Sequence, residues 1–247
     1  MVGILLSVSS ASSQVNIEKF RGEEDQRGLS GTADVDVSGR SGNVDVWQVS
    51  VGGRVDFAGS WVTTLFVTRA DFGWEDGKRF SNEALLHLRR VHRNRSWLRP
   101  EAFVQINYDK PRLLTFRGLL GAGLRIGIAS FENFTLWWGS AYMFEHESLE
   151  LPQGARHSKR VWVHRWSNYL SSRAVLSERA TLLWSAYLQP RINVFEDVRA
   201  IAELDIGVEL TSRFSFVVSF RTRYDSRPPD DTESTDTSLS TGISVAF

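Results

Sequence analysis

Apolar and polar residues alternate along most of this chain, from residue 28 to residue 247. Twelve alternating segments follow one another, separated by turn-like residues. In the sixth and clearest segment, Leu120 and Leu124 fall on one face. Arg117 and Arg125 fall on the other face. Because successive side chains of a β-strand point to opposite sides, this period of two residues predicts strands with one apolar and one polar face.

Strands of this kind cross a membrane when their apolar faces meet lipid and their polar faces meet a lumen. After the first residues, no apolar run approaches the ~20 residues that a transmembrane helix needs. The 28–247 region allows each segment the roughly 9–11 residues of a transmembrane strand, with the rest left for connections. The pattern therefore favours a membrane barrel over a helical membrane protein.

The connections also alternate in length. Those after the second, sixth, eighth and tenth segments are short, whereas those after the third, seventh, ninth and eleventh are longer and more polar. Short turns at one end and longer loops at the other are typical of outer-membrane barrels. We therefore predict a single all-β domain over residues 28–247. It is a 12-stranded antiparallel up-and-down transmembrane β-barrel in the cell outer membrane of a Gram-negative bacterium, with both termini on the periplasmic side.

Two soluble folds remain as alternatives to this prediction. A lipocalin-like barrel would need polar outward faces, yet the eleventh segment carries Phe214, Phe216, Val218 and Phe220 on one side. A two-layer sandwich could bury such a side against a second sheet. The three folds therefore differ in what covers the apolar faces.

The final segment alternates up to Phe247. If the last strand pairs with the first, it closes the sheet and removes both edges. This strand resembles the last strand of bacterial outer-membrane barrels, and that resemblance implies that Phe247 is a membrane anchor and the signal read by the barrel-assembly machinery. Aromatic residues also gather near strand ends, as in the interfacial belts of membrane proteins, although they are good strand formers in any sheet.

The N-terminal residues form a separate segment. A short apolar stretch is followed by small residues up to Ser13. We interpret residues 1–13 as a signal peptide with an incomplete basic region, and residues 14–27 as an N-terminal periplasmic segment. A disordered tail is the alternative.

The polar faces of the predicted strands carry many charges. In a 12-stranded barrel these side chains line a lumen wider than side chains alone readily fill. They would either form ion pairs that support the wall or line a narrow polar pore. We predict that acids on the tenth segment lie opposite arginines on the eleventh. The predicted lumen-lining charged residues are Asp34, Asp36, Arg117, Arg125, Glu203, Asp205, Glu209, Arg221 and Arg223.

Composition narrows the function classes. The chain has 29 basic and 29 acidic residues, which gives no electrostatic footprint for nucleic acid. It has no cysteine, and its five histidines show no metal-ligand spacing, so we expect no metal and no cofactor. His146 has acidic neighbours and a serine nearby, but neighbours on a strand point to opposite faces. We therefore expect no enzyme, with an outer-membrane hydrolase as the less favoured alternative.

The segment order resembles the salt-induced outer-membrane protein family, a bacterial family of unknown function. The resemblance is carried by "GLSGTADVDVSGRSGNVDVWQVS", by "RPEAFVQINYDKPRLLTFRGLLGAGLRI" and by the region from Asn193 to Asp231 that leads to the last strand. It implies an outer-membrane barrel over residues 28–247 but supplies no catalytic residues.

Two functions follow as expectations. The first is a narrow polar channel or a structural envelope barrel. The second is a scaffold barrel that docks a partner protein in an outer-membrane complex. In either case the expected partners are outer-membrane lipid and the barrel-assembly machinery.

Overall fold

A computed structural model describes residues 27–40, 45–93, 97–230 and 232–246. These residues form twelve antiparallel strands in which each strand pairs with its neighbours in sequence. One short 3₁₀ helix, Lys110–Arg112, lies between the fifth and sixth strands. The strands are β1 (Gly28–Arg40), β2 (Val46–Ala58), β3 (Val62–Glu75), β4 (Lys78–His92), β5 (Leu98–Asp109), β6 (Leu114–Phe131), β7 (Phe134–Leu149), β8 (Arg160–Ser177), β9 (Ala180–Arg191), β10 (Val194–Glu209), β11 (Phe214–Asp225) and β12 (Thr235–Ala246).

The sheet closes on itself between β1 and β12. Thr32 pairs with Ala246, and Val35 pairs with Ile243. The predicted 12-stranded antiparallel barrel is therefore confirmed, and a sandwich of two sheets is excluded. Phe247 and the proposed signal peptide, residues 1–13, lie outside the described residues, as do all but the last residue of the 14–27 segment.

The barrel is apolar outside and polar inside. On β6 Leu120 is 61% exposed, whereas Arg117, three residues before it, is 4% exposed. On β12 the outward Leu239 is 64% exposed. A soluble barrel buries its apolar residues inside, so this arrangement is that of a barrel surrounded by hydrocarbon.

The two rims differ in their connections. The loops 150–159 and 226–234 lie at one end, which we call the long-loop rim. The opposite end, the short-turn rim, carries the start of β1, the end of β12 and connections such as 132–133 and 178–179. Asp76 and Gly77 form a two-residue turn between β3 and β4, with φ of 48° and 75°.

The prediction of long loops after the third and ninth strands is wrong. Glu75 pairs with Lys78, so β3 and β4 extend to the Asp-Gly turn, a dipeptide that favours two-residue hairpins. The connection between β9 and β10 is likewise two residues long, Ile192 and Asn193. The strands use the polar residues that the sequence analysis assigned to loops.

Aromatic side chains lie exposed near both rims. Trp61 and Phe131 are at least 70% exposed beside the short-turn rim. Trp47, Trp162 and Tyr224 lie near the long-loop rim and are about half exposed. Amphipathic rings are favoured at the two lipid–water interfaces, so the two groups mark the limits of the apolar band. No helix among the described residues is long and apolar enough to cross a membrane.

Candidate functional site

Strand parity determines where the predicted charged residues lie. Asp34 and Asp36 on β1 point inward, each beside a glycine of a neighbouring strand, Gly52 on β2 and Gly242 on β12. A larger side chain at either glycine would overlap the carboxylate. Both aspartates are half-buried. The other inward members of the predicted set are buried: Arg117, Arg125, Glu203, Asp205, Arg221 and Arg223.

The predicted pairing between β10 and β11 forms at one position. Glu203 lies directly opposite Arg221, and the two side chains form an ion pair. Asp205 instead accepts a hydrogen bond from the hydroxyl of Ser219. Arg223 lies opposite Ile201 of β10, so the register places no acidic residue of β10 directly across from it.

Glu209 differs from the expectation. It is the last residue of β10 and pairs with Ser215 beside the turn to β11. Its side chain is exposed. Glu209 therefore lies at the short-turn rim and does not line the lumen, because the strand ends before its side chain can be covered.

A network of ion pairs crosses the lumen near the long-loop rim, and sequence reasoning missed most of it. Arg199 of β10 donates to Glu145 at 2.5 Å and to Glu147 at 3.0 Å, both on β7. It also donates to Asp225 of β11 at 2.8 Å. Arg117 of β6 reaches Glu147 at 2.6 Å. The guanidinium of Arg199 therefore joins three carboxylates from two sides of the barrel.

The network continues through Arg165 of β8. Its guanidinium lies 2.9 Å from Asp197 on β10 and 3.4 Å from Glu145. It also donates to the backbone oxygen of Gln189 at 3.0 Å. The two-residue alternation could have predicted that these side chains face the lumen. Glu145 alternates with the outward Phe144 in the same way as Arg117 alternates with its apolar neighbours. Which of them meet across the lumen has no local signal.

A second group of contacts crosses the middle of the barrel. The hydroxyl of Tyr169 on β8 donates to Glu101 on β5 at 3.0 Å. Glu101 also pairs with Arg89 of β4 at 3.3 Å. Beside them, His87 lies 3.0 Å from the side-chain oxygen of Gln105. The cavity at this level is about 30 Å³, which has room for one water molecule.

The opposite side of the lumen is lined by smaller side chains. Inward positions of β12 are Ser238, Ser240, Gly242 and Ser244, and all are partly exposed. By contrast, the inward Met143 on β7 is 1% exposed and Arg165 is 2% exposed. We call the inward faces of β12 and β1, including Asp34 and Asp36, the serine-lined side. Inward side chains on β2, β3, β10 and β11, such as Arg54, Asp71 and Arg221, are buried as well, so the serine-lined side is the less covered part of the lumen wall.

The long-loop rim is partly covered. Arg112, in the 3₁₀ helix, forms an ion pair with Asp236 at the start of β12, on the far side of the mouth. The 150–159 loop folds inward, and its Leu151 packs with Leu114 and Leu149. These contacts cover part of the mouth from the β5–β8 side and reach across it to β12.

The two long loops also touch each other. The backbone N–H of His157 donates to the carboxylate of Asp230 at 2.9 Å, and the imidazole Nδ1 lies 3.1 Å from the same oxygen. The backbone hydrogen bond from His157 lowers the pKa of Asp230 below its ordinary value. The carboxylate is therefore held in its ionised form at the loop surface.

The outward-facing histidines belong to the outer wall. His146 on β7 stacks on Trp162 with ring centroids 3.8 Å apart. His164 on β8 lies against Tyr142, whose hydroxyl is 2.5 Å from Nδ1. Neither points into the lumen. In the described part of the chain, no group of three or more His, Cys, Asp or Glu side chains is placed to hold a metal ion.

A closed barrel with an apolar outside, aromatic rims and a charged lumen defines an outer-membrane β-barrel protein. One solved structure supports this fold, and two more distant ones resemble it. An outer-membrane channel from Pseudomonas putida F1 is 10% identical, with a TM-score of 0.56 over 95% of this chain and 100% of that one. The translocator domain of the autotransporter NalP from Neisseria meningitidis is 12% identical, with a TM-score of 0.49 over 91% and 90% of the two chains. A KdgM porin in complex with oligogalacturonate is 8% identical, with a TM-score of 0.49 over 89% and 99%.

The sequence itself identifies the family. Residues 33–247 match the family described as "Protein of unknown function, DUF481", and the chain belongs to it. No curated protein gives a significant sequence match. The protein is thus a DUF481 β-barrel of the outer membrane, similar in fold to a solved outer-membrane channel.

Proposed function

We propose that the protein is a narrow outer-membrane channel whose passage is off-centre, along the serine-lined side. The observation that carries the proposal is the difference in exposure between the serine-lined side and the rest of the lumen wall. Inward side chains such as Met143 and Arg165 are buried, whereas Ser240 and Ser244 on β12 are partly exposed. A passage lined by hydroxyl and carboxylate groups suits small hydrophilic solutes and ions.

The ion-pair network has a supporting role in this proposal. Arg199 and Arg165 join β7, β8, β10 and β11 across the lumen, which fixes one half of the barrel as a rigid, filled wall. With most of the inward side chains buried, the passage is much narrower than the barrel itself. The proposed channel therefore selects against large solutes.

Planar-bilayer conductance tests the proposal. Replacing the inward Ser240 with tryptophan places a large ring in the passage and should reduce conductance strongly. The matched control is Thr241→Trp on the same strand, which points to lipid and should conduct like the wild type. A wild-type protein that inserts but carries no current would overturn the channel proposal, and so would equal conductance in the two variants.

The second candidate is a closed structural barrel of the envelope. The ion pairs that span the lumen favour it, because they stabilise the wall without any solute. Folded protein that carries no current in bilayers would support this candidate.

The family resemblance to salt-induced outer-membrane proteins supports a role of either barrel under osmotic stress. A deletion strain compared with its parent in high-salt medium would test that role.

The proposal includes no catalytic role. His146, the histidine with the most acidic surroundings in sequence, faces outward against Trp162. A hydrolase would need a general base beside a nucleophile. The stacking of His146 on the outer wall does not favour that arrangement.

A further inference from the structure

A groove of about 530 Å³ lies on the outer wall of the barrel. Its floor is made of small residues of β6 and β7, among them Ala122 and Ser140. Tyr142 and Trp166 form one part of its walls. The groove is distinct from the lumen, since these side chains point away from the barrel axis.

A bulge builds the remaining wall. The register between β9 and β10 shifts between Val194 and Val198. Bulges redirect side chains, and here Phe195 is 60% exposed and lines the groove together with Ile192 and Trp166. The backbone N–H of Ile192 donates to the carbonyl of His164 at 2.9 Å, which holds the end of the β9–β10 hairpin against β8.

The polar atoms around the groove are satisfied within the protein. The indole Nε1 of Trp166 donates to the hydroxyl of Ser140 at 2.8 Å. The hydroxyl of Tyr142 lies 2.5 Å from Nδ1 of His164. Among the described residues that line the groove, none is charged. The groove therefore offers ring faces and aliphatic surface, and an occupant gains by burying hydrocarbon.

The groove is continuous with the lipid-facing surface. Leu120 and Leu124 on β6 and Leu170 on β8 are exposed beside it, on the apolar band that faces the membrane interior. Hydrocarbon chains are the molecules in contact with this band. We propose that the groove is a specific binding site for one acyl chain of an outer-membrane lipid, held between Trp166, Tyr142 and Phe195.

Native mass spectrometry of the detergent-purified, delipidated full chain tests the site. Palmitoyl-oleoyl phosphatidylethanolamine is added, and the retained lipids are counted. We expect one lipid to persist on the wild type after the weakly held lipids are lost. Ala122→Phe fills the floor of the groove and should reduce the occupancy of that lipid by about tenfold.

The matched control is Ala84→Phe, the same substitution at an exposed outward position of β4. It should retain the lipid. The proposal is overturned if the wild type retains no lipid, or if Ala122→Phe retains it as well as the control does. It is also overturned if the wild type is a dimer that dissociates on Ala122→Phe, because a second copy would then cover the groove.

Discussion

Arg199 on β10 donates to the carboxylate of Glu145 on β7 at 2.5 Å, although β8 and β9 lie between their strands along the wall. The contact therefore crosses the lumen. Both side chains are buried, at 7% and 1% exposure. Opposite charges in such a position must compensate each other, because neither carries its hydration shell.

The first prediction concerns this contact. Arg199→Met keeps the length of the side chain but leaves Glu145, Glu147 and Asp225 with one cation fewer. Removing one partner of a buried ion pair costs about 3–5 kcal/mol, so the free energy of unfolding should fall by roughly that amount. Equilibrium urea unfolding in phospholipid vesicles measures it.

Arg227→Met is the control for the loss of an arginine. Arg227 lies 3.9 Å from Glu196 in an exposed pair at the long-loop rim. Such pairs contribute about 0–1 kcal/mol, so this variant should unfold nearly like the wild type. Equal destabilisation of the two variants would contradict the assignment of the lumen network as a structural brace.

The second prediction concerns a glycine beneath a ring. Gly139 on β7 lies under the ring of Tyr169, whose hydroxyl bonds to Glu101. Gly139→Ala would push the ring away from that carboxylate, and overpacking of this kind costs about 1–3 kcal/mol. The same unfolding assay should show this loss.

Gly207→Ala provides the comparison. A Cβ at Gly207 meets no described atom within 4 Å, and removing a glycine restricts the unfolded chain. We expect this variant to be as stable as the wild type, or more stable by about 0.4–1 kcal/mol. If Gly139→Ala behaved in the same way, the contact with Tyr169 would not constrain the wall.

The third prediction concerns ion selectivity and rests on the proposed channel. Asp34 and Asp36 face the accessible part of the lumen. Fixed carboxylates there should favour cations over anions. In a potassium chloride gradient, the reversal potential of the wild type should show cation preference, and the double variant Asp34→Asn, Asp36→Asn should move it toward zero.

Glu132→Gln removes one charge from the exposed turn between β6 and β7, outside the lumen, and should leave the reversal potential unchanged. A channel that conducts without cation preference would contradict the role of the two aspartates but leave the passage itself supported. A protein that inserts but carries no current would contradict both the role of the aspartates and the passage itself.

The fourth prediction concerns pH at the long-loop rim. The pKa of Asp230 is lowered by the hydrogen bond from His157, so the ionised carboxylate stabilises the contact between the loops. A lowered pKa gives a contribution that is complete above the ordinary value of about 3.9 and lost as the pH falls through the lowered value. The loops should therefore separate only in strong acid.

Spin labels can measure this separation, because the chain contains no cysteine. Labels on Gln153→Cys and Glu233→Cys, both exposed loop positions, should report a short distance at neutral pH and a longer one in acid. Adding Asp230→Asn should give the longer distance at every pH. Adding Glu150→Gln, which changes an exposed side chain at the other long loop, should leave the distance short at neutral pH.

The charged positions and Phe195 show how far the two-residue alternation alone predicts which side chains face the lumen. The alternation around Arg117 and Arg125 placed both side chains inside, and the same rule applies to Glu203 and Arg221. Glu209 is the exception, because the chain leaves the sheet after it. Phe195 obeys no parity rule, because the bulge beside it turns the side chain outward.

The sequence by itself determined the number of strands and which side chains face lipid, since a side-chain period of two residues is a local property of an extended chain. Only the tertiary structure decided which charges of non-neighbouring strands meet across the lumen. Arg199 and Glu145 lie on strands that are distant in sequence, and Arg112 in the 3₁₀ helix is still farther from Asp236 on β12. They come together because closing the barrel places non-neighbouring strands face to face across one lumen. For the same reason, the lower coverage of the serine-lined side has no local pattern.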